Sequence, residues 1–230
     1  MANQAIEHRF DRIMPRTRNR PIAAGRLRRR TAIGLSAVLC GAGSLWLGAG
    51  VNIRALLFGA LAFLIYVFAY TPLKRRTPAC ILVGAVSGAL PLLIGWAATG
   101  AEFGLWASVG FAVLFLWQMP HFLAIAWWRR TEYLGAGYRV LSNDDHQGYR
   151  SAGWSLAFVM AVFTVSLVPA LANRVTEWYG LGAVVAGIMF GIPSIRFLLR
   201  RNEAAARSLF FASLYYLPAV YALMLLCRKS

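Results

Sequence analysis

Acid is scarce in this sequence. Of 230 residues only 8 are Asp or Glu, against 24 Lys and Arg, giving a formal net charge of +16; charged residues make up 14% and hydrophobic ones 59%. A soluble domain carries roughly a quarter charged residues and has no core able to absorb so much apolar surface. A water-soluble globule is therefore excluded. Nucleic-acid binding would require the basic residues to form one continuous face, whereas here they lie between apolar runs. Cysteine is equally sparse. Cys40, Cys80 and Cys227 fall in apolar segments with no CxxC or CxxCH, so neither a disulfide framework nor covalent haem attachment is indicated, and they read as small lipid-facing or packing residues. The opening residues MANQAIEHRFDR lack the charged, apolar and small-residue regions of a cleavable signal, so insertion is expected to depend on internal spans.

What the sequence has in abundance is long apolar runs. Crossing a hydrocarbon core of roughly 30 Å takes about 20 residues of helix. Seven runs qualify, at 32–50, 53–73, 79–99, 103–128, 152–172, 179–199 and 209–227. Backbone groups in lipid must be satisfied within the segment, and none of these runs alternates as a barrel strand does, so all seven are expected to be helices of an all-α integral membrane bundle. Residues 1–31 form a polar segment before the first span. With Arg54 and Arg196 counted in the loops they adjoin, alternate flanking segments hold 20 and 4 of the basic residues. That bias puts the N-terminal segment and the loops at Lys74, Arg129 and Arg200 in the cytosol and the C-terminus outside. Most of the positive charge is topology signal, with attraction to the anionic lipid bilayer second. Trp46, Trp96, Trp106, Trp127, Trp128 and Trp178 lie near span ends as interfacial belt residues do, and Gly84, Gly88 and Gly95 read as points of close helix approach.

Against this background each polar group is informative. Asn3, Glu7 and Asp11 follow one another at four-residue steps; each step advances a helix by about 40°, so the three share an arc of roughly 80°. Such an oxygen-rich face suits Mg²⁺, which takes one or two carboxylates plus phosphate oxygens. The alternative is a solvated helix end. Immediately downstream, Pro15 and Pro21 stop the helix while Arg12, Arg16, Arg18 and Arg20 crowd the same corner, offering planar guanidinium groups to a diphosphate. Tyr70 and Lys74 stand four apart at the cytosolic end of the second span, where Lys74 either reaches that diphosphate or anchors the interface. Gln118 and His121 lie inside the fourth span. Polar groups there usually face the bundle interior and mark function. His121 sits eight residues before Arg129, about 12 Å below the boundary, at the depth of a large, flat, mainly apolar acceptor. A metal ligand, a base and a hydrogen-bond donor are all open to it. In the loop that follows, Glu132 is the best placed carboxylate for a second Mg²⁺ site; Asp144 and Asp145 read as a solvated pair or a helix cap, and Glu102, Glu177 and Glu203 as structural.

Taken together, NQAIEHRFD, RTRNRPIAAG, YTPLKRRT, GALPLLIGW, WQMPHFLAIAW and EYLGAGYRVL resemble the UbiA prenyltransferase superfamily over nearly the whole chain, and its haem O synthase (protohaem IX farnesyltransferase) branch in WQMPHF. The NxxxDxxxD motif falls on Asn3, Glu7 and Asp11, with Glu for the central Asp. The YTxxLKR element falls on Tyr70 to Arg75 with one residue fewer before Leu73, and the second acidic element on Glu132 and Tyr133. Departures are Cys80 for Asn, Leu92 for the second Pro of GAxPP, and Val140 for Met. The resemblance implies that Asn3, Glu7, Asp11 and Glu132 hold Mg²⁺, that Arg16, Arg20, Lys74, Tyr70, Tyr133 and Gln118 bind substrate, and that His121 serves the acceptor. Farnesyl diphosphate would prenylate a vinyl group of haem b to give haem O, with haem A synthase or a terminal oxidase as downstream partners. It further implies nine spans, of which the two before Asn3 are missing here, and hence little haem O formation by these 230 residues alone. The competing readings are a superfamily member with an aromatic or quinone-precursor acceptor, and a transporter or non-catalytic assembly factor. No inverted repeat supports the transporter, and assembly alone would leave the four-residue spacing of Asn3, Glu7 and Asp11 without a cause.

Overall fold

The computed structural model describes residues 1–135, 137 and 139–229. Among these the ordered elements are helices, and the one β-bridge, Val175 with Arg228, belongs to no strand. A short helix α1 (Ala2–Asp11) precedes α2 (Arg29–Gly50), α3 (Ile53–Leu73), α4 (Cys80–Ala98) and α5 (Leu105–Trp128). After a short α6 (Arg130–Gly135) come α7 (Tyr149–Leu171), α8 (Glu177–Arg200) and α9 (Glu203–Leu226). Seven of them, α2 to α5 and α7 to α9, are long and apolar enough to cross a membrane, matching the seven runs seen in the sequence.

The helix ends differ from those runs for identifiable reasons. α9 starts at Glu203 and not at 209 because Asn202 Oδ1 accepts the Ala205 N–H at 2.9 Å and the following alanines favour helix. α7 starts at Tyr149 and not at 152, with Asp145 Oδ2 accepting the Ser151 N–H at 2.7 Å. Gly148 occupies the N-cap itself, so Asp145 is a buried acceptor for the first turn from three residues before it, while Asp144 is exposed. α3 is capped by Asn52, whose Oδ1 accepts from Ala55 N–H at 2.9 Å and whose Nδ2 donates to the Ala97 carbonyl at 2.7 Å, tying α3 to the end of α4.

The chain divides into two compact units, Met1–Glu102 with Arg130–Asn143, and Phe103–Arg129 with Asp144–Ser230. In the second unit α5, α7, α8 and α9 pack around Val113, Trp127, Val159, Tyr179, Phe190, Phe197 and Leu209. Polar groups there find backbone carbonyls, as lipid requires: Tyr179 OH donates to Ser166 O at 2.6 Å and Tyr221 OH to Gly110 O at 2.9 Å. Trp127 corrects the expectation of an aromatic belt. It is 1% exposed, against 74% for Trp178, and its ring lies against Gly148, whose φ of 79° and 2.8 Å clearance admit no side chain. In the first unit only Gly84, of the three glycines expected to mark close approach, does so in the described contacts, since a Cβ there would meet the Tyr70 ring at 2.6 Å; Gly95 has open space around it and Gly88 is exposed.

Candidate functional site

Within the first unit, α1 presents Glu7 and Asp11 on its buried side, 3% and 2% exposed, beside the half-buried Asn3, as the four-residue spacing requires. Buried carboxylates need counter-charge. Asp11 takes it from Arg20, whose Nη1 reaches Oδ1 at 3.0 Å and Oδ2 at 3.2 Å. One Nη1 serves both oxygens, so Nε and Nη2 of Arg20 keep their donors unused among the described residues. The loop is folded back to deliver that arginine. Thr17 Oγ1 donates to the Asp11 carbonyl at 3.0 Å, the Arg20 N–H to Thr17 O at 2.9 Å, and Arg12 Nε to Ala23 O at 3.0 Å. Arg12 thus braces the turn, and Arg18 is exposed.

Glu7 is met from the other side by Lys74, with Nζ 3.4 Å from Oε1 and 3.5 Å from Oε2. Oε1 is buried and in ionic contact but accepts no hydrogen bond of acceptable geometry. The donor set therefore fits a hard divalent cation: two carboxylates and an amide oxygen on one face, one carboxylate oxygen short of a hydrogen bond. Among the described residues no three His, Cys, Asp or Glu side chains converge on a common point, so Glu132 does not join Glu7 and Asp11 in this arrangement.

Lys74 is aimed by the end of α3. Its Nζ lies 4.6 Å from the centroid of the Tyr70 ring, and that ring rests against Gly84. Residues Ile65–Tyr70 form a π-helical turn in which Tyr66 O accepts both the Thr71 N–H and, at 2.7 Å, the Thr71 hydroxyl. Pro72 has no N–H for the Phe68 carbonyl and crowds it, which accounts for the widening just before it. The widened turn brings Tyr66 and Tyr70 within 5.4 Å of each other and sets Tyr66 OH 3.4 Å from Asn3 Nδ2 and Thr71 Oγ1 3.4 Å from Asn3 Oδ1. Tyr66 and Thr71 thus flank Asn3. The sequence reading missed both, although Tyr66, Tyr70 and Lys74 are themselves spaced by fours.

The segment after α5 closes over α1. The Arg139 N–H donates to Lys74 O at 3.1 Å, and Met14 is buried among Phe10, Tyr133 and Val140. Arg16 hydrogen-bonds to Tyr133; burial pushes the Tyr133 hydroxyl above the usual tyrosine range, opposed by the Arg16 charge. Val140, in place of the family's Met, fills that small apolar cluster. Glu132 is half-buried beside Tyr133.

The remaining candidates belong to the second unit. Gln118 Nε2 donates to its own helix at Leu114 O, 3.1 Å away, and His121 Nδ1 lies 2.8 Å from Ser213 Oγ. The His121 ring stacks on Trp117 at 4.9 Å and on Phe210 at 4.8 Å, with Phe122 edge-on at 5.6 Å.

A profile of the UbiA prenyltransferase family matches residues 1–215. Two curated relatives are each 40% identical and carry the name protoheme IX farnesyltransferase. That of Solibacter usitatus aligns over 230 residues, covering 99% of this chain and 78% of its own. That of Opitutus terrae aligns over 227 residues, covering 98% and 77%. Among solved structures, one described as a digeranylgeranylglyceryl phosphate synthase superposes with a TM-score of 0.81 over 98% of this chain and 78% of its own, at 18% identity, a likeness of fold.

Proposed function

The chain belongs to the UbiA prenyltransferase family, and from that premise we propose that it transfers the farnesyl group of farnesyl diphosphate to a vinyl group of haem b, giving haem O. The observation that carries the reading is the pairing of two buried carboxylates on α1 with two cations that converge from different segments, Asp11 with Arg20 and Glu7 with Lys74. Such a cluster matches the charge of a diphosphate and its metal far better than it stabilises a helix end.

In this mechanism the carbon–oxygen bond to the diphosphate breaks and the pair stays on the leaving group. A new carbon–carbon bond joins the allylic carbon to the vinyl carbon, water adds to the cation left behind, and a proton is released. Negative charge therefore grows on the diphosphate, and fixed positive charge placed there lowers the barrier. Bound at Asn3, Glu7 and Asp11, Mg²⁺ would supply part of that charge. Arg20 brings its spare Nε and Nη2 donors and Lys74 its ammonium, held over the face of Tyr70. Arg16 and Tyr133 close the same corner, and Glu132 would supply a second Mg²⁺ site, as the family resemblance implies. His121 and Gln118 serve the acceptor. The basic-residue bias supports a multi-pass arrangement in the plasma membrane with α1 on the cytosolic side and the C-terminus outside. Haem A synthase or a terminal oxidase would receive the product.

The test is direct. Membranes in which the protein is expressed from its own locus are incubated with farnesyl diphosphate, Mg²⁺ and haem b, and extracted haem is analysed by mass spectrometry. Haem O is expected only when all three are present. Prenylation of an aromatic or quinone-precursor acceptor in place of haem would overturn the acceptor assignment, and no prenyl transfer to any acceptor would overturn the enzyme reading.

A further inference from the structure

We propose that Ser213 of α9 is the positioning residue for His121: it holds the imidazole as the tautomer protonated on Nδ1 and so leaves an electron pair on Nε2. The inference rests on the reading of His121 as the acceptor-side residue and assigns its chemical role. Ser213 Oγ lies 2.5 Å from the carbonyl oxygen of Phe210, one helical turn back, and 2.8 Å from His121 Nδ1. A carbonyl only accepts, and a hydroxyl has a single proton to give. That proton goes to Phe210 O, at the shorter of the two distances, so towards His121 the hydroxyl oxygen accepts and Nδ1 must carry hydrogen. A neutral imidazole has one N–H, and with it on Nδ1 the ring presents Nε2 as an acceptor.

Three further features hold the ring in place. Ser213 is fully buried, so its hydroxyl has no bulk water as an alternative partner. The backbone of the same residue is pinned, since Trp117 Nε1 donates to Ser213 O at 2.7 Å, and Trp117 is the ring stacked on His121. Turning the imidazole over would set a carbon against Ser213 Oγ and forfeit the 2.8 Å bond. Among the described residues Nε2 has no hydrogen-bond partner of its own. This pattern, one ring nitrogen tied to a fixed acceptor and the other left open, is how proteins prepare a histidine to bind a metal or take a proton. Of the three roles open to His121 from sequence, donation from Nε2 is thereby removed.

The wild-type protein in lipid bilayers, labelled with ¹⁵N-histidine, tests the assignment by solid-state NMR, with His121→Gln identifying the resonances among the three histidines. A protonated Nδ1 and a pyridine-type Nε2 are expected. Ser213→Ala should shift the ring to a mixture or to the Nε2-protonated form, and Ser213→Thr, which keeps the hydroxyl, should restore the wild-type pattern. In turnover, Ser213→Ala should raise KM for haem b by roughly 10–100-fold while KM for farnesyl diphosphate stays unchanged. A wild-type ring protonated on Nε2, an unchanged ring in Ser213→Ala, or equal loss for both substrates would overturn the proposal. The expected spectrum with no haem O formed would instead refute the proposed function and leave the tautomer assignment standing.

Discussion

A single added methyl group should disable the diphosphate corner from behind. A Cβ at position 84 would lie 2.6, 2.9 and 3.1 Å from three carbons of the Tyr70 ring, where comfortable carbon contacts are about 3.5–4.0 Å, so the ring must retreat by about 1 Å. It has nowhere easy to go. Tyr66 stands 5.4 Å away, centroid to centroid, and Lys74 Nζ sits over the face of the ring at 4.6 Å. Overpacking of this kind costs about 1–3 kcal/mol, which for a chain of this size is a Tm lower by about 2–4 °C per kcal/mol. The effect on activity should be larger in proportion, because Lys74 moves with the ring and a misplacement of 1 Å at a reacting centre costs about 10²-fold. Gly84→Ala is therefore expected to lower haem O turnover by about 10–100-fold with a Tm loss of several degrees, measured in nanodiscs. Gly95→Ala, in the same helix but with open space around it, is the control and should be neutral or slightly stabilising. Wild-type Tm and turnover in Gly84→Ala would refute the idea that the Tyr70 ring aims Lys74.

Asp11→Ala should abolish turnover without loss of expression and also weaken binding of Mn²⁺, read by electron paramagnetic resonance; full activity would remove Asp11 from the site. Glu7→Asp, which restores the family's usual residue, should keep most of the turnover, and a loss as deep as that of Asp11→Ala would show that Glu7 does not stand in for it. Arg20→Ala leaves Asp11 buried without its partner, so unfolding in detergent should show a loss of about 1–3 kcal/mol, moderated because Arg20 is itself 36% exposed; no loss would mean that water replaces the pair. A reporter fused after Arg76 should read cytosol and one after Ser230 the outside, and the reverse at either point would sink the orientation and the span count.

The spans were legible because lipid leaves few solutions: a 20-residue apolar run has to be a helix, and the seven runs are the seven candidate spans. Their ends were less so, since amphipathic residues such as Glu203 to Arg207 extend α9 outward, on a cap that hydropathy does not register. Glu7 and Asp11 were legible for the same reason as the spans, acid being rare enough in this chain that regular spacing stands out. From composition and spacing Arg20 was one of a crowd of arginines, and only the family resemblance singled it out, together with Arg16. Which member of the crowd met Asp11 depended on the turns at Thr17 and Ala23, and these depend on hydrogen bonds between residues 6 to 11 apart in sequence. Trp127 was misplaced because position near a span end does not say which face of the helix a residue occupies.

Hydroxyl groups account for most of what sequence did not disclose. In a membrane helix a Ser or Thr can satisfy itself on the carbonyl three to five residues back, as Ser36, Thr71, Ser155, Ser166 and Ser213 do, so its presence carries little cost and is a weak signal. Yet that same back-bond commits the only proton the hydroxyl has and turns its oxygen into an acceptor fixed in space. Ser213 stands beside His121 on these terms. The functional weight of such a residue depends on what lies across the helix interface from it, which is a property of packing and absent from any local pattern. Asn, Gln and His behave otherwise. Their amide or ring groups offer both donors and acceptors, which one backbone carbonyl cannot exhaust, so their appearance in an apolar run is a signal in itself. That difference in hydrogen-bonding capacity explains why His121 could be picked out of an apolar run while Ser213, which stands beside it, could not; Asn3 was found instead by its four-residue spacing from Glu7 and Asp11.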